Sequence, residues 1–480
     1  MIVKRFYDEK LAQTSYLIGC GARGTAIVID PNRDSAQYIR AAESENVKIT
    51  HVTETHIHAD FVSGTRELAA AAGATMYLSA EGGADWQYAF AKHDGAKLLH
   101  DGDTMKVGNV VIMALHTPGH TPEHLTFLVT DTAAADEPIA AATGDFVFVG
   151  DVGRPDLLEK AAGVAGTMDA AARTLFASLQ KFKREQPDWL QIWPGHGAGS
   201  ACGKGLSAVP HSTVGYERRF NWAFDIDDEE TFVSAVLEGQ PEPPKYFAQM
   251  KRINKEGPPV LGGFREPEQL PAEELGKTLE AGALMIDTRP APVFARGHVP
   301  GTINIPLGKS FNTWAGWLVP YDRNFYLIAD DAHAAEAARD LAMIGLDRVV
   351  GYFPSFAVAM WAAGGRKLDT VAQEDSSRLA KRMKTGAVNV IDVRARSEWD
   401  AGHIPGVPNI PLGYLTDRLD EIPADRPVVL QCQSGARSVI AASLLQARGV
   451  KDVVNLAGGI VGWEAAGNSV EREVPVGSAA

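Results

Sequence analysis

Cysteine is scarce. Only Cys20, Cys202 and Cys432 occur in 480 residues, with no CxxC pair among them. Three isolated thiols can form neither a disulfide framework nor a cysteine-built zinc or iron–sulfur centre, and such usage fits a reducing, cytoplasmic setting. Long apolar runs are also missing, so no transmembrane helix is expected. The opening residues, from Met1 through Lys4, Arg5 and Asp8, are charged and lack the apolar stretch of a secretory signal. Positive charge is in deficit: 46 Lys and Arg against 60 Asp and Glu give a net charge of −14. That balance speaks against nucleic acid or an anionic membrane as a partner.

What is present is an ordinary globular composition, 45% hydrophobic and 22% charged. At roughly 150 residues per domain, the length allows about three domains. Histidine is unevenly spread, with ten of the 13 at or before His211. One region therefore carries imidazole chemistry, and the remainder does something else.

The remainder contains a repeat. Gly297-His-Val-Pro-Gly-Thr-Ile-Asn-Ile-Pro-Leu307 returns as Gly402-His-Ile-Pro-Gly-Val-Pro-Asn-Ile-Pro-Leu412, offset by 105 residues. Each copy follows an apolar strand ending in an acid and a base, Leu284–Arg289 and Val390–Arg394. Each is followed by a strand, an Ala-rich helix and a further strand. Strands alternating with helices at this spacing predict a parallel α/β domain, present twice. The Pro/Gly-rich stretch 239–263 reads as a linker. The expected organisation is a His-rich domain over 1–238, the linker, and α/β domains over 264–365 and 366–480. Within the first domain, many strands and few helices predict an α/β sandwich.

Four strands of the His-rich domain run into residues of metal-ligand type. They lead to Thr55-His56-Ile57-His58-Ala59-Asp60, to Thr117-Pro118-Gly119-His120, to Thr143-Gly144-Asp145 and to Pro194-Gly195-His196. Ligands on loops at strand ends can converge on one rim of a rigid scaffold. Any one segment alone is as well explained by an ordinary turn; the set of four, in this order, is not.

These motifs resemble the metallo-β-lactamase superfamily, especially its glyoxalase II and persulfide dioxygenase branches. The resemblance implies an αββα sandwich with metal at one edge. It also shows a departure: the family pattern ends in Asp-His, and position 61 here is Phe. In dinuclear members that His helps bind the second metal. An apolar ring cannot ligate, so a stable dizinc centre is disfavoured, leaving Asp60, His196 and a bridging Asp145 at that second position. One metal held by His56, His120 and Asp145 remains, and two imidazoles with one carboxylate form the facial set of non-haem Fe(II) oxygenases. In persulfide dioxygenases, the resemblance implies, the matching residues bind a single Fe(II), one per chain. His58, Asp60 and His196 are then supporting residues or spare ligands. Arg154 and Arg173 are candidate contacts for an anionic thiol carrier.

The last domain contains a strand, then Cys432-Gln433-Ser434-Gly435-Ala436-Arg437, then a helix from Ser438. Loop amides and a helix N-terminus aimed at the sulfur, with Arg437 beside it, are how a thiolate is held at neutral pH and an anionic sulfur substrate received. With its strand Val390–Arg394 and its copy of the Gly-His-Ile-Pro-Gly motif, this region resembles the rhodanese family. The resemblance implies that Cys432 carries sulfane sulfur as a persulfide, cradled by Gln433, Ser434, Gly435 and Ala436 and assisted by Arg437. Asp392, Arg394 and His403 match framework positions. In the first copy Asp330-Asp331-Ala332-His333-Ala334 stands opposite the loop, without a thiol, so that domain reads as an inactive rhodanese-like one. Cys202, six residues after His196, is a candidate thiol relay; Cys20 reads as structural.

The whole arrangement resembles persulfide dioxygenase–rhodanese fusions. That implies O₂-dependent oxidation of a low-molecular-weight thiol persulfide (of glutathione, coenzyme A or a similar carrier) to sulfite. It also implies that Cys432, charged by another persulfide, passes sulfane sulfur to sulfite and gives thiosulfate, with sulfide detoxification as the role and a homo-oligomer. Two other readings stay open: a zinc-dependent thioester hydrolase like glyoxalase II with a rhodanese appended, and a non-catalytic sulfur carrier or sensor.

Overall fold

The computed structural model describes residues 1–160, 166–423 and 425–472, so the end of the last expected domain, 473–480, lies outside the described residues. The chain forms two compact units: Met1–Phe264 with Ala342–Gly345, and Arg265–Leu341 with Leu346–Ala480. Among the described residues no helix is long and apolar enough to cross a membrane.

The first unit holds two six-stranded sheets. One contains β1 (Ile2–Asp8), β2 (Gln13–Cys20), β3 (Thr25–Ile29), β4 (Lys48–Thr53), β5 (Thr75–Ser79) and β6 (Lys97–Leu99) in that spatial order. The other contains β7 (Thr104–Val107), β8 (Val110–His116), β9 (Leu125–Asp131), β10 (Ala140–Gly144), β11 (Gln191–Pro194) and β12 (Ser212–Thr213), ordered 12-11-10-9-8-7.

Strand periodicity sorts the apolar side chains onto opposite faces. Ile18, Ile27 and Ile29 pack with Ile112, Phe127, Val129 and Ala142 between the sheets. Their neighbours Leu17, Val28 and Val52 point the other way, onto Tyr38 and Leu68 of the helices Ser35–Ser44 and Thr65–Ala72. On the far side, Leu128, Ala141 and Ile192 meet Leu175, Leu179 and Phe182 of the helix Met168–Glu185. That helix buries Ala171, Leu175, Leu179 and Phe182, one apolar stripe at helical spacing. The layers are thus helix, sheet, sheet, helix: the expected αββα sandwich.

The linker expectation is corrected. Within 239–263 the segment Tyr246–Glu256 is a helix that buries Tyr246, Phe247, Met250 and Asn254, and the first unit runs on to Phe264. Pro and Gly flank this helix; its apolar residues at positions 246, 247, 250 and 253 were the sign of its amphipathic face.

The second unit contains two parallel four-stranded sheets. The first is built from β13 (Leu284–Asp287), β14 (Ile303–Asn304), β15 (Phe325–Ala329) and β16 (Val349–Pro354), ordered 14-13-15-16. The second is built from β17 (Ala372–Glu374), β18 (Asn389–Asp392), β19 (Val428–Gln431) and β20 (Val453–Leu456), ordered 17-20-19-18.

The repeat is visible in side-chain detail. Asn304 Nδ2 donates to the carbonyls of Asp287 and Arg289, and Asn409 Nδ2 to those of Asp392 and Arg394, all at 2.9–3.0 Å. His298 stacks on Phe294 at 3.8 Å, and His403 on Trp399 at 3.5 Å. Arg289 clasps Asp287 as Arg394 clasps Asp392.

These are framework roles, as expected for Asp392, Arg394 and His403. Asp392 and Arg394 are both buried. Asp392→Ala leaves the guanidinium buried and uncompensated, and the expected cost is about 3–5 kcal/mol. Chemical denaturation, followed by the second unit's unfolding, measures it.

Candidate metal centre and cysteine loop

The sheet pairings bring the four ligand-bearing loops together. β10 and β11 run parallel with Gly144 opposite Pro194, and the Gly195 amide donates to the Gly144 carbonyl at 2.8 Å. Asp145 and His196 therefore emerge side by side. The loop after β4 crosses to the other sheet, where the Leu125 amide donates to the Thr55 carbonyl at 2.8 Å. A Cβ on Gly195 would lie 2.8 Å from Asp145 Oδ1, so glycine leaves that carboxylate its room.

His56, His120 and Asp145 each present one donor atom within 4.8 Å of the others, and all three are buried. Asp145 Oδ2 lies 3.5 Å from His120 Nε2 and 3.9 Å from His56 Nε2. The outer ring nitrogens are held from behind. His120 Nδ1 donates to the Arg154 carbonyl at 3.1 Å. His56 Nδ1 lies 3.0 Å from Thr55 Oγ1, which donates its own proton to Asp30 Oδ2 at 3.0 Å and so accepts from the ring. Both arrangements turn an Nε2 lone pair inward.

Burial pushes the pKa values of both imidazoles down, helped at His56 by its neighbouring rings, so both stay neutral and able to ligate. Both Asp145 oxygens are buried and have no hydrogen-bond partner among the described residues. An unpartnered buried carboxylate is costly, and a cation among these three donors removes that cost; the residues fit a bound metal.

A second group lies against the first: Asp60, His196 and Cys202, again with donor atoms within 4.8 Å of one another and all buried. His196 Nε2 is 3.3 Å from Asp60 Oδ2 and 3.5 Å from Asp145 Oδ1, while its Nδ1 donates to the Ala12 carbonyl at 3.0 Å. Burial alone would lower the His196 pKa, but the Asp145 and Asp60 charges outweigh it and raise it. Burial raises Asp60. Burial, with those same carboxylates, raises the Cys202 thiol well above its ordinary value.

His58 joins neither group. Its Nε2 is 3.2 Å from Asp30 Oδ1 and its ring lies 4.4 Å from Phe61. Burial opposes its charge, but the hydrogen bond and charge of Asp30 prevail and push the pKa up to about 9.

Two residues escaped the sequence reading. Asp30, at the end of β3, also accepts the Thr55 amide at 2.6 Å and so ties down the first ligand loop. His124 takes the Asp145 amide proton on Nε2 at 3.2 Å. The only signal for Asp30 was an acid followed by Pro31 at a strand end; His124 lies within no motif. Thr55→Val removes the hydroxyl that links Asp30 to the His56 ring. Metal affinity is expected to fall about 10–100-fold, as measured by competition with a chelator.

Arg154 and Arg173 are not free for a carrier. Arg154 is fully buried, with Nε and Nη2 each 2.7 Å from an Asp156 oxygen and Nη1 donating to the Ala201 carbonyl. Arg173 is paired with Asp169, Glu229 and Glu230. Both contacts expected from sequence are corrected: neighbouring acids neutralise these guanidiniums.

In the second unit, Cys432 follows β19 directly and is 1% exposed. The Gly435 amide donates to its Sγ at 3.1 Å. Gly435 has φ +99, a left-handed conformation that glycine adopts without strain. The helix Ala436–Ala447 starts at once, with Gly435 as its N-cap. Ser438 Oγ lies 3.3 Å from Sγ and 2.5 Å from Asn455 Oδ1, and its single proton serves one of them at a time. Gln433, Ser434 and Ala436 are exposed around the sulfur.

Arg437 is arranged differently from expectation. Its Nη1 and Nη2 donate to the two Glu398 oxygens at 2.6 and 2.7 Å. Burial works against the Glu398 charge, but Arg437 outweighs it and holds that carboxyl below its ordinary range. Arg437 thereby clamps the loop's end rather than presenting an unpaired charge to the sulfur. In the first module Asp287 pairs with Ile328 as Asp392 pairs with Gln431, so Ala329 holds the place of Cys432, and the expectation that Asp330 stands there is corrected: Asp330 is one position further on, accepting from Ser355 Oγ. No thiol stands there.

Comparison with known proteins agrees with this division. Residues 9–196 match the metallo-beta-lactamase superfamily, and residues 271–354 and 375–466 match the rhodanese-like domain. A crystal structure of a metallo-beta-lactamase from Staphylococcus aureus is similar at 44% identity and a TM-score of 0.68, over 74% of this chain and 99% of that one. A sulfurtransferase of Allochromatium vinosum is 40% identical over 94 residues, 19% of this chain and 88% of its own length. The mitochondrial persulfide dioxygenase ETHE1 of Bos taurus is 25% identical over 234 residues, 48% of this chain and 78% of its own length. Of a probable metallo-hydrolase of Burkholderia pseudomallei, 31% identical over 179 residues, the chain spans 60%.

Proposed function

The chain belongs to the metallo-β-lactamase superfamily and carries two rhodanese-like domains after that fold, and from this we propose that it oxidises the persulfide of a low-molecular-weight thiol with O₂ and transfers sulfane sulfur through Cys432. The likeness to a persulfide dioxygenase and to a sulfurtransferase supports work on sulfur compounds. The observation that carries the oxidative half is the buried convergence of His56, His120 and Asp145. Two imidazoles and one carboxylate leave coordination positions open, as in non-haem Fe(II) oxygenases. A single Fe(II) held there supplies the one-electron chemistry by which O₂ reacts with sulfane sulfur.

The net reaction is RSSH + O₂ + H₂O → RSH + SO₃²⁻ + 2H⁺, with R a carrier of the glutathione or coenzyme A class. The sulfur is oxidised and O₂ reduced. The chain's own residues hold the geometry: Thr55 and the Arg154 carbonyl orient the two imidazoles. His124 accepts from the Asp145 amide and so positions the third ligand.

In the second rhodanese-like domain the Cys432 thiolate attacks the outer sulfur of a persulfide, releasing RSH and leaving Cys–S–S⁻. Sulfite then takes that outer sulfur: the S–S bond breaks, thiosulfate leaves and the thiolate returns. The Gly435 amide holds the sulfur, and the Ser438 hydroxyl, shared with Asn455, is within reach to join it. Ala329 at the nucleophile's place offers no thiol, and the Asp330 carboxylate beside it repels both anionic partners, so the first rhodanese-like module has no part in this transfer.

The test uses protein reconstituted anaerobically with Fe(II) and given glutathione persulfide. Oxygen uptake matched by sulfite formation is the expected result. Absence of oxygen uptake with about one iron bound per chain overturns the oxidative reading and leaves a sulfur carrier.

A further inference from the structure

The first rhodanese-like module lacks a thiol, yet one of its helices helps to wall a cavity beside the cysteine loop. Within the second unit its helix Ala291–Arg296 packs against the helix Ala436–Ala447 of the other module. Two hydrogen bonds fix the second helix in place. The Asn304 amide of the first module donates to Ser443 Oγ, and Gln446 Nε2 donates to the Thr370 carbonyl, both at 2.9 Å. The cavity beside these helices has a volume of about 480 Å³, a size that takes small organic molecules. It touches the loop at Ser434, Gly435 and Ala436, but Cys432 does not line it. A molecule held here meets the loop without standing on the sulfur.

The lining selects the kind of molecule. Ala291, Pro292, Ala295, Val371, Val439 and Ala457 make most of the wall apolar. Arg296 is the one charged residue among the described residues that line it. Its side chain is exposed, and no hydrogen bond or ion pair holds its guanidinium among the described residues. Arg289, just before the same helix, is bound to Asp287 instead.

A chain of hydrogen bonds runs from this wall to the sulfur. Asn455 Nδ2 donates to Gln373 Oε1 at 2.7 Å, and both residues line the cavity. Asn455 Oδ1 accepts from Ser438 Oγ, whose single proton goes either there or to Cys432 Sγ, 3.3 Å away. Asn455 and Ser438 are both buried, so water does not take over either role.

We infer that this cavity binds a small organic anion with an apolar body, its charge drawn to Arg296, and that the bound anion slows the chemistry of Cys432. A negative charge in the cavity polarises the Asn455 amide and makes Oδ1 a better acceptor, so the Ser438 proton stays with Asn455 and leaves the sulfur. The same charge opposes the thiolate directly. Both effects have one sign. The module without a thiol is then half of a control site for its neighbour.

Octanoate and phenylacetate are the probes, one aliphatic and one aromatic, added to the full chain with Cys432 reduced. Calorimetry measures binding. Alkylation by iodoacetamide at neutral pH, followed by mass spectrometry of the peptide that carries Cys432, measures the thiol. At least one of the acids is expected to bind and to slow alkylation about threefold, a tenfold loss of thiolate being partly offset by its greater nucleophilicity. Octanamide, which lacks the charge, is expected to leave the rate unchanged. Arg296→Gln is expected to weaken binding of the acid at least about tenfold without altering alkylation in the absence of ligand. Ala457→Trp fills the cavity from an exposed position and is expected to abolish binding with Arg296 still present.

Binding of neither acid, binding that survives both substitutions, equal slowing by octanamide, or an alkylation rate indifferent to the bound acid overturns the proposal. The measurement uses neither persulfide nor oxygen, so its outcome is separate from that of the proposed oxidation and sulfur transfer.

Discussion

His120→Ala is expected to lower persulfide-dependent oxygen uptake at least about 10³-fold, since removing mere supporting partners of a metal ligand already costs about 10–100-fold. The reasoning starts from burial. His120 is 2% exposed, its Nδ1 is bound to the Arg154 carbonyl and its Nε2 faces Asp145 Oδ2 at 3.5 Å. Alanine at this position leaves an imidazole and a carboxylate, too few protein donors to hold Fe(II) against chelation by water and buffer. Iron content of the anaerobically reconstituted variant should fall together with oxygen uptake. Sulfur transfer to sulfite should persist, because its nucleophile lies in another unit of the chain. Oxygen uptake near the parent's rate would show that the metal is held elsewhere and would end the proposed mechanism.

Cys432→Ser is expected to have the opposite signature. Thiosulfate formation from sulfite and a persulfide should drop at least about 10³-fold, the scale on which loss of a covalent nucleophile acts. Oxygen uptake should stay within about twofold of the parent, because additivity holds for independent sites. A serine hydroxyl fits the space and can keep the Gly435 amide contact, so the loop need not collapse; what is lost is an atom able to form and break an S–S bond. Measuring sulfite and thiosulfate in the same reaction separates the steps: the variant should accumulate sulfite where the parent shows thiosulfate. Joint loss of both activities would argue that the two sites do not act separately.

Much of the centre was legible in the chain. The four strand-end motifs are local, each with Gly, Pro or Thr shaping the turn that carries the ligand, and all four place their donors in the two groups of the site. The cysteine loop was legible for the same reason, since a strand, a six-residue loop and a helix N-terminus follow one another without interruption. The roles of partners were not legible. The pairing of Arg437 with Glu398 spans 39 residues, and nothing local distinguishes that arginine from one free to meet a substrate. Arg154 looked available until the fold buried it against Asp156. The helix at Tyr246–Glu256 lay hidden between prolines and glycines whose breaking power acts only at their own positions.

From its residues alone this protein was already a sandwich with metal-type ligands at strand ends, followed by two parallel α/β modules of which only one keeps a thiol. Those features depend on periodicity and turn chemistry, which act over a few residues. Tertiary structure alone decided that Asp145 faces two donor groups at once, that Asp30 and His124 stand behind the ligands, and that Cys202 meets Asp60 and His196. Sheet register and long-range packing set those distances, and side chains that share a site need not share any stretch of sequence.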